Sequence, residues 1–136
     1  MSNLEQTLSI IKPDAVDRNL DNEIKEMFKN KGFKIVKEKK IQIEKSEAEK
    51  FYKVHETKPF YNDLCEYLSS GAIIVMVLER ENAIKSNRDL MGATDPSKAQ
   101  EGTIRKLFGV SIDKNSVHGS DSRENAKIEI DFFFKH

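Results

Sequence analysis

The stretch "GAIIVMVL", residues 71–78, decides the fold. Apolar and largely β-branched side chains follow one another there, without the alternation of a strand that is wet on one face. A glycine opens the run, and its length suits a strand better than a helix. It reads as a central strand covered on both sides. At that length it also falls far short of the roughly 20 apolar residues needed to cross a bilayer.

A central strand needs neighbours and two layers of helix, and the flanking sequence supplies both. "FKIVKEKKIQI" (33–43) alternates Phe33/Ile35 and Ile41/Ile43, as in a strand with one solvated face. "TLSIIK" (7–12) reads as a short buried strand ended by Pro13, which forces Lys12 into an extended conformation. Leu20, Ile24, Met27 and Phe28 recur at helical spacing, with Gly32 as the stop. Segments 46–54 and 60–69 read as helices split by Pro59, and another helix covers 82–91. A long polar loop, "GATDPSKAQEGT" (92–103), then leads to a short helical piece at 104–108. Loops of that length in a compact domain usually carry function. The final helix, 122–134, places Ala126, Ile130, Phe133 and Phe134 on one stripe. The order β-α-β-α-α-β-α-loop-β-α predicts one α+β domain over residues 1–136. Its expected form is a ferredoxin-like sandwich, a four-stranded, mostly antiparallel sheet covered by helices.

Composition narrows the function classes. Charged residues make up 34% of the chain, and Lys plus Arg balances Asp plus Glu at 23 each. Zero net charge offers no general attraction to nucleic acid or to an anionic membrane. The lone Cys65 has no internal disulfide partner. The start, "MSNLEQTLSIIKPD", lacks a basic segment followed by an apolar one, so no export signal is visible and a cytoplasmic protein is expected.

The chemistry concentrates in "NSVHGSDS" (115–122). Asp121 followed three residues later by Glu124 resembles a capping arrangement, which puts His118, Gly119 and Ser120 immediately before the last helix. Helix starts favour anions, and Gly119 would allow a sharp turn there. Glu129 lies about 60° from Ala126 around the helix, on the border of the buried stripe. From there it can reach back and hold one ring nitrogen of His118 as N–H, freeing the other as a nucleophile. Residues alone leave His118 open between that role and a plain turn, and Glu129 open between partner and boundary carboxylate. His55, Cys65 and His118 lack ligand-like spacing for a metal. Adjacent His118, Ser120 and Asp121 cannot converge as a hydrolytic triad. Glycine-rich phosphate cradles are missing, so Lys12, Arg88 and Arg105 would have to supply charge to any phosphate.

"NSVHGSDS" resembles the signature of nucleoside diphosphate kinases. So do "IIKPDAV" (10–16), "KPF" (58–60), "NRDLMGATDP" (87–96), "GTIR" (102–105) and "NAKIEI" (125–130), in the family's order. The resemblance implies transfer of the γ-phosphate of a nucleoside triphosphate to a nucleoside diphosphate through a phosphohistidine on His118. Glu129 would orient the ring, and Lys12, Tyr52, Arg88, Thr94, Arg105 and Asn115 would hold phosphates and ribose. Phe60 and Ile112 would sandwich the base, with Leu64 beside them. Ser120 would hydrogen-bond Glu129, and Asp121 would be an acid near the site. Mg²⁺ would come with the nucleotide rather than on protein ligands.

An unperturbed imidazole titrates near pH 6.5, so it is mostly neutral and nucleophilic at pH 7. Stacking on Phe60 and Ile112 would use the flat face common to all bases, so low base selectivity is expected. The end at His136 resembles shorter, bacterial-type members and leaves tetramer and hexamer open. Ile128 and Phe132, off the main stripe of the last helix, are expected to meet another segment or subunit. Two other classes differ in their signs. A non-catalytic nucleotide-binding module would lack the nucleophile and cation set. A single-strand nucleic-acid binder would show a steep salt dependence, and zero net charge argues against it.

Overall fold

The computed structural model describes residues 4–111 and 114–134. Strands β1 (Leu4–Ile11), β2 (Lys34–Ile41), β3 (Ile73–Glu81) and β4 (Val117–Gly119) lie in the order β2-β3-β1-β4, each antiparallel to its neighbours. Helices are α1 (Pro13–Asp17), α2 (Asp21–Asn30), α3 (Lys45–Phe51), α4 (Tyr61–Ser69), α5 (Ala83–Met91), α6 (Ile104–Phe108) and α7 (Arg123–Phe134). The expected sandwich is present.

The β3 run explains itself in this arrangement. Ile74, Met76 and Leu78 face one core cluster, with Ile24 and Phe28 of α2 and Leu90 and Met91 of α5. Ile73 and Val75 face the other, with Ala48 of α3, Cys65 and Leu68 of α4, and Phe133 of α7. Both faces of the strand are dry, so alternation is absent. Gly32, at φ 82°, occupies the left-handed position that stops α2.

Several boundaries moved for local reasons. β1 starts at Leu4 and β3 runs to Glu81, because the two pair along their whole length from Leu4–Glu81 to Ile11–Ile74. Pro13 ends β1 as expected, yet it also opens the short helix α1, which the pattern did not reveal. A bulge between Ile35 and Lys37 breaks the alternation of β2 and leaves Val36 exposed. The helix expected over 46–54 ends at Phe51 and tightens into a 3₁₀ turn at Lys53–His55.

Two corrections concern the signature octapeptide. Ser122, not Asp121, caps α7: its Oγ accepts the Asn125 N–H at 3.1 Å, while Asp121 Oδ1 takes the Asn125 side-chain amide at 2.6 Å. His118 therefore belongs to a strand several residues before the helix rather than to its mouth. Nor does Gly119 make a turn. It lies in β4, where a Cβ would come within 2.2 Å of Asn87 Nδ2 and 2.9 Å of Met91 Cε, so its role is close packing under α5.

Glu5 ties two of the helices to β1. One carboxylate oxygen accepts the Ile84 N–H at 2.9 Å, in the first turn of α5, and the other takes Arg123 Nε of α7 at 2.5 Å. Burial by itself would raise its pKa, but the Ile84 amide and Arg123 outweigh it and hold Glu5 below the ordinary 4.5. Its stabilising contribution is thus complete above about 4.5 and disappears as the pH falls through the lower folded value. Replacing it, Glu5→Gln, should cost about 1 kcal/mol at pH 7. The gap from wild type should close in acid, as read by denaturant unfolding across pH; a gap that stays constant would refute this.

Candidate active site

β4 pairs with β1 in a register that sets His118 opposite Ile10, on the sheet face covered by α3, α4 and α7. His118 Nε2 lies 3.0 Å from Glu129 Oε1, and Ser120 Oγ donates to the same oxygen at 2.8 Å. Ser120 is fixed in turn by Leu8: the Leu8 N–H donates to Ser120 Oγ, and the Ser120 N–H to the Leu8 carbonyl, both at 3.2 Å. A carboxylate only accepts, so Nε2 carries the hydrogen and Nδ1 holds the free lone pair. The ring is one-fifth exposed, enough to meet a ligand. Phe51 packs edge-on against it, with centroids 5.3 Å apart, and Tyr52 stands edge-on at 6.5 Å. Burial first, then the charges of Cys65 and Glu129, drive the Tyr52 phenol far upward, so it stays a neutral hydroxyl.

The cations come from three elements. Lys12, buried at the end of β1, donates from Nζ to Asn115 Oδ1 at 2.9 Å, and Asn115 Nδ2 donates to the Thr94 carbonyl at 3.1 Å. Arg105 on α6 is also buried; it donates to the carbonyls of Gly92 at 3.0 Å and Val117 at 2.9 Å. Burial, then the charge of Arg88 on α5, pull its guanidinium down to about 10, against the opposing pull of Tyr52. It remains charged at pH 7. Among the described residues no carboxylate pairs with it, and its Nε has no partner. A buried, unpaired cation facing a second one is a site waiting for an anion.

Other expected residues fall around this centre. Phe60 is 42% exposed at the start of α4, and Leu64 lies one turn on, half-buried. Thr94 is exposed in the long loop, and Asp121 is exposed beyond β4. Ile112 lies outside the described residues.

Sequence reasoning missed Phe51 and His55. His55 sits between Tyr52 and Phe60, 6.1 Å from each ring, with Nδ1 buried and unpartnered among the described residues. Burial, then Lys58 and His118, hold its pKa below 6.5 against the pull of Asp121. Its three-residue spacing from Tyr52 was the available signal. Phe51 offered none beyond its place next to Tyr52.

The chain matches the family description "Nucleoside diphosphate kinase" over residues 5–136. The chain belongs to the nucleoside diphosphate kinase family. It is 57% identical to the nucleoside diphosphate kinase of Wolinella succinogenes over 131 residues, 96% of each chain. The Persephonella marina protein of that name is 54% identical over 131 residues, 96% of this chain and 94% of its own. The crystal structure of the Aquifex aeolicus nucleoside diphosphate kinase superposes with a TM-score of 0.94 at 40% identity, covering 96% of this chain and 95% of that one. The apo Encephalitozoon cuniculi enzyme gives 0.94 at 36%, covering 97% and 90%. The ferredoxin-like reading of the kinase fold thus agrees with solved structures.

Replacing the buried cation tests the charge argument. Arg105→Met should weaken ADP binding by about 10- to 100-fold, the worth of one charge-assisted contact. Thermal stability should change little, since relief of a buried charge offsets two lost hydrogen bonds. Calorimetric titration showing unchanged affinity would remove Arg105 from the site.

Proposed function

We propose that this kinase moves the γ-phosphate of a nucleoside triphosphate to a nucleoside diphosphate through His118. One observation carries the assignment of residues: the Glu129 carboxylate fixes Nε2 as N–H and leaves Nδ1 as the open nitrogen. The Nδ1 lone pair attacks the γ-phosphorus, the bond to the bridging oxygen breaks, and the diphosphate leaves with that electron pair. Positive charge on the imidazole is then met by Glu129. In the second half-reaction a terminal oxygen of another diphosphate attacks the phosphorus and the N–P bond breaks. Both halves use one site in turn, giving ping-pong kinetics.

Phosphoryl transfer asks the protein mainly for position and charge. Lys12, Arg88 and Arg105 supply charge, while Asn115, Thr94 and Tyr52 complete the contacts to phosphates and ribose. Kinases acting on nucleotides use a divalent metal. Among the described residues no three His, Cys, Asp or Glu side chains gather as metal ligands. We propose that the metal is Mg²⁺ brought in on the substrate phosphates, where it would neutralise charge, and that Asp121 is an acid near the site. The exposed face of Phe60 supports stacking under any base, with Ile112 as the opposing group.

Residues 1–136 form a single catalytic domain in this reading. No helix among the described residues is long and apolar enough to cross a membrane, and the cytoplasm is the compartment we propose. No specific nucleic-acid partner is proposed.

Incubation with Mg·ATP, removal of nucleotide and mass measurement should reveal one added phosphoryl group, acid-labile and discharged by any nucleoside diphosphate. His118→Ala should lack it entirely. A variant that keeps the added mass would move the nucleophile elsewhere.

Ile128 is 61% and Phe132 38% exposed on α7, which supports a homo-oligomer, tetramer or hexamer. Light scattering should then give a multiple of 15.6 kDa; a monomer would end that proposal.

A further inference from the structure

We propose that Asp14 and Ser116 are positioning residues for the reaction, acting through a clamp that aims the Lys12–Asn115 arm at the nucleotide. The idea rests on the function proposed above, because it needs that arm to touch nucleotide.

Ser116 has φ 74°, left-handed backbone that residues other than glycine, asparagine and aspartate seldom adopt. Such a conformation persists where the surroundings over-determine it. Here the surroundings converge on one carboxylate. Ser116 Oγ donates to Asp14 Oδ2 at 3.0 Å, and Arg18 Nη2 donates to the same oxygen at 3.1 Å. Arg18 Nη2 also reaches the Phe108 carbonyl, at the end of α6, and lies 3.5 Å from Ser116 Oγ. Tyr67 of α4 donates its hydroxyl to Asp14 Oδ1 and accepts the Asp14 N–H at 2.8 Å. The Asp14 side chain is only 6% exposed. α1, α4, α6 and the segment before β4 are thereby joined at a single acidic group.

The consequence falls on the residues either side. With Ser116 held in this conformation, its carbonyl turns back to accept the Lys12 N–H at 2.8 Å. Asn115 is then aimed at Lys12 Nζ and at the Thr94 carbonyl. If Ser116 relaxed to an ordinary extended or helical conformation, Asn115 would rotate away while His118, paired to β1, stayed in place. The clamp separates the two tasks: β1 holds the nucleophile, and Asp14 holds the nucleotide arm. The side chains of Asp14, Arg18 and Tyr67 line an outward cleft of about 720 Å³ that does not include His118, so they act through Ser116 rather than on the ligand.

Two substitutions distinguish this from a merely structural role. Ser116→Ala keeps a Cβ in the left-handed region and removes the hydroxyl. Ser116→Gly removes the hydroxyl and also the strain. Both should raise the KM for ATP and the Kd for ADP about fivefold, the worth of one hydrogen bond, with kcat within twofold. The melting temperature should fall in the alanine variant and recover in the glycine variant. His118 should accept a phosphoryl group from phosphoramidate, a donor with no nucleoside, at the wild-type rate in both. Asp14→Asn should share the KM defect.

A glycine variant that regains ATP affinity together with stability would overturn the proposal, as would an unchanged KM in either serine variant. Should the alanine variant not fold, the glycine variant carries the test alone. Wild-type protein that forms no phosphoenzyme with either donor would instead overturn the function on which the proposal stands.

Discussion

The pairing of β4 with β1 over Ser9–Ile11 is the constraint from which the site follows. β4 is three residues long, and among the described residues β1 is its only strand partner. So short a ladder would fray by itself, and it is fastened at both ends by contacts outside it. Ser120 exchanges hydrogen bonds with Leu8 at one end, and the Lys12 N–H holds the Ser116 carbonyl at the other. Arg105 adds a third fastening through the Val117 carbonyl. Because β1 ends at Ile11, the same register that presents His118 also delivers Lys12 beside it. One strand pairing thus brings His118 and Lys12 together.

Charge in the site is deliberately unbalanced. Glu129 spends its acceptors on the histidine ring and on Ser120, and among the described residues no carboxylate pairs with Arg105. Arg105 donates to the carbonyls of Gly92 and Val117, partners that satisfy hydrogen bonding without cancelling charge. The charge of Arg105 therefore stays uncancelled, and Arg88 adds to it at the cost of repelling Arg105. A buried cation of this kind costs stability, the usual direction of compromise at active sites. The left-handed Ser116 belongs to the same pattern: strain is tolerated where a carboxylate network holds it.

Legibility in the sequence followed the range of the interactions. The β3 run, the α2 stripe stopped by Gly32 and the α7 stripe are short-period patterns, and each was read correctly because burial on one or two faces writes itself into every turn or pair of residues. Helical phase put Glu129 at the border of the buried stripe and left it open between partner and boundary carboxylate; the 3.0 Å contact with His118 decides for the partner. Boundaries failed where partners from elsewhere set them: β1 and β3 lengthen each other, and a bulge interrupts β2. The octapeptide misled in its details. Asp and Ser both cap helices, and only the fold decides that Ser122 does so here. Gly119 suggested a turn, whereas the residue that bends the chain is Ser116, a type with no intrinsic preference for that conformation.

By itself the sequence determined the layered α+β class, the order of the four strands and the family, and it supplied the candidate reacting groups, because periodicity and motif order are properties of neighbours along the chain. Tertiary structure alone decided which groups meet: Phe51 against the ring of His118, His55 between Tyr52 and Phe60, Arg105 buried without a counter-ion among the described residues, Asp14 gathering four segments. Those encounters join residues up to 102 positions apart, as Asp14 and Ser116 are. Their geometry depends on strand register and packing distance, which no local pattern encodes.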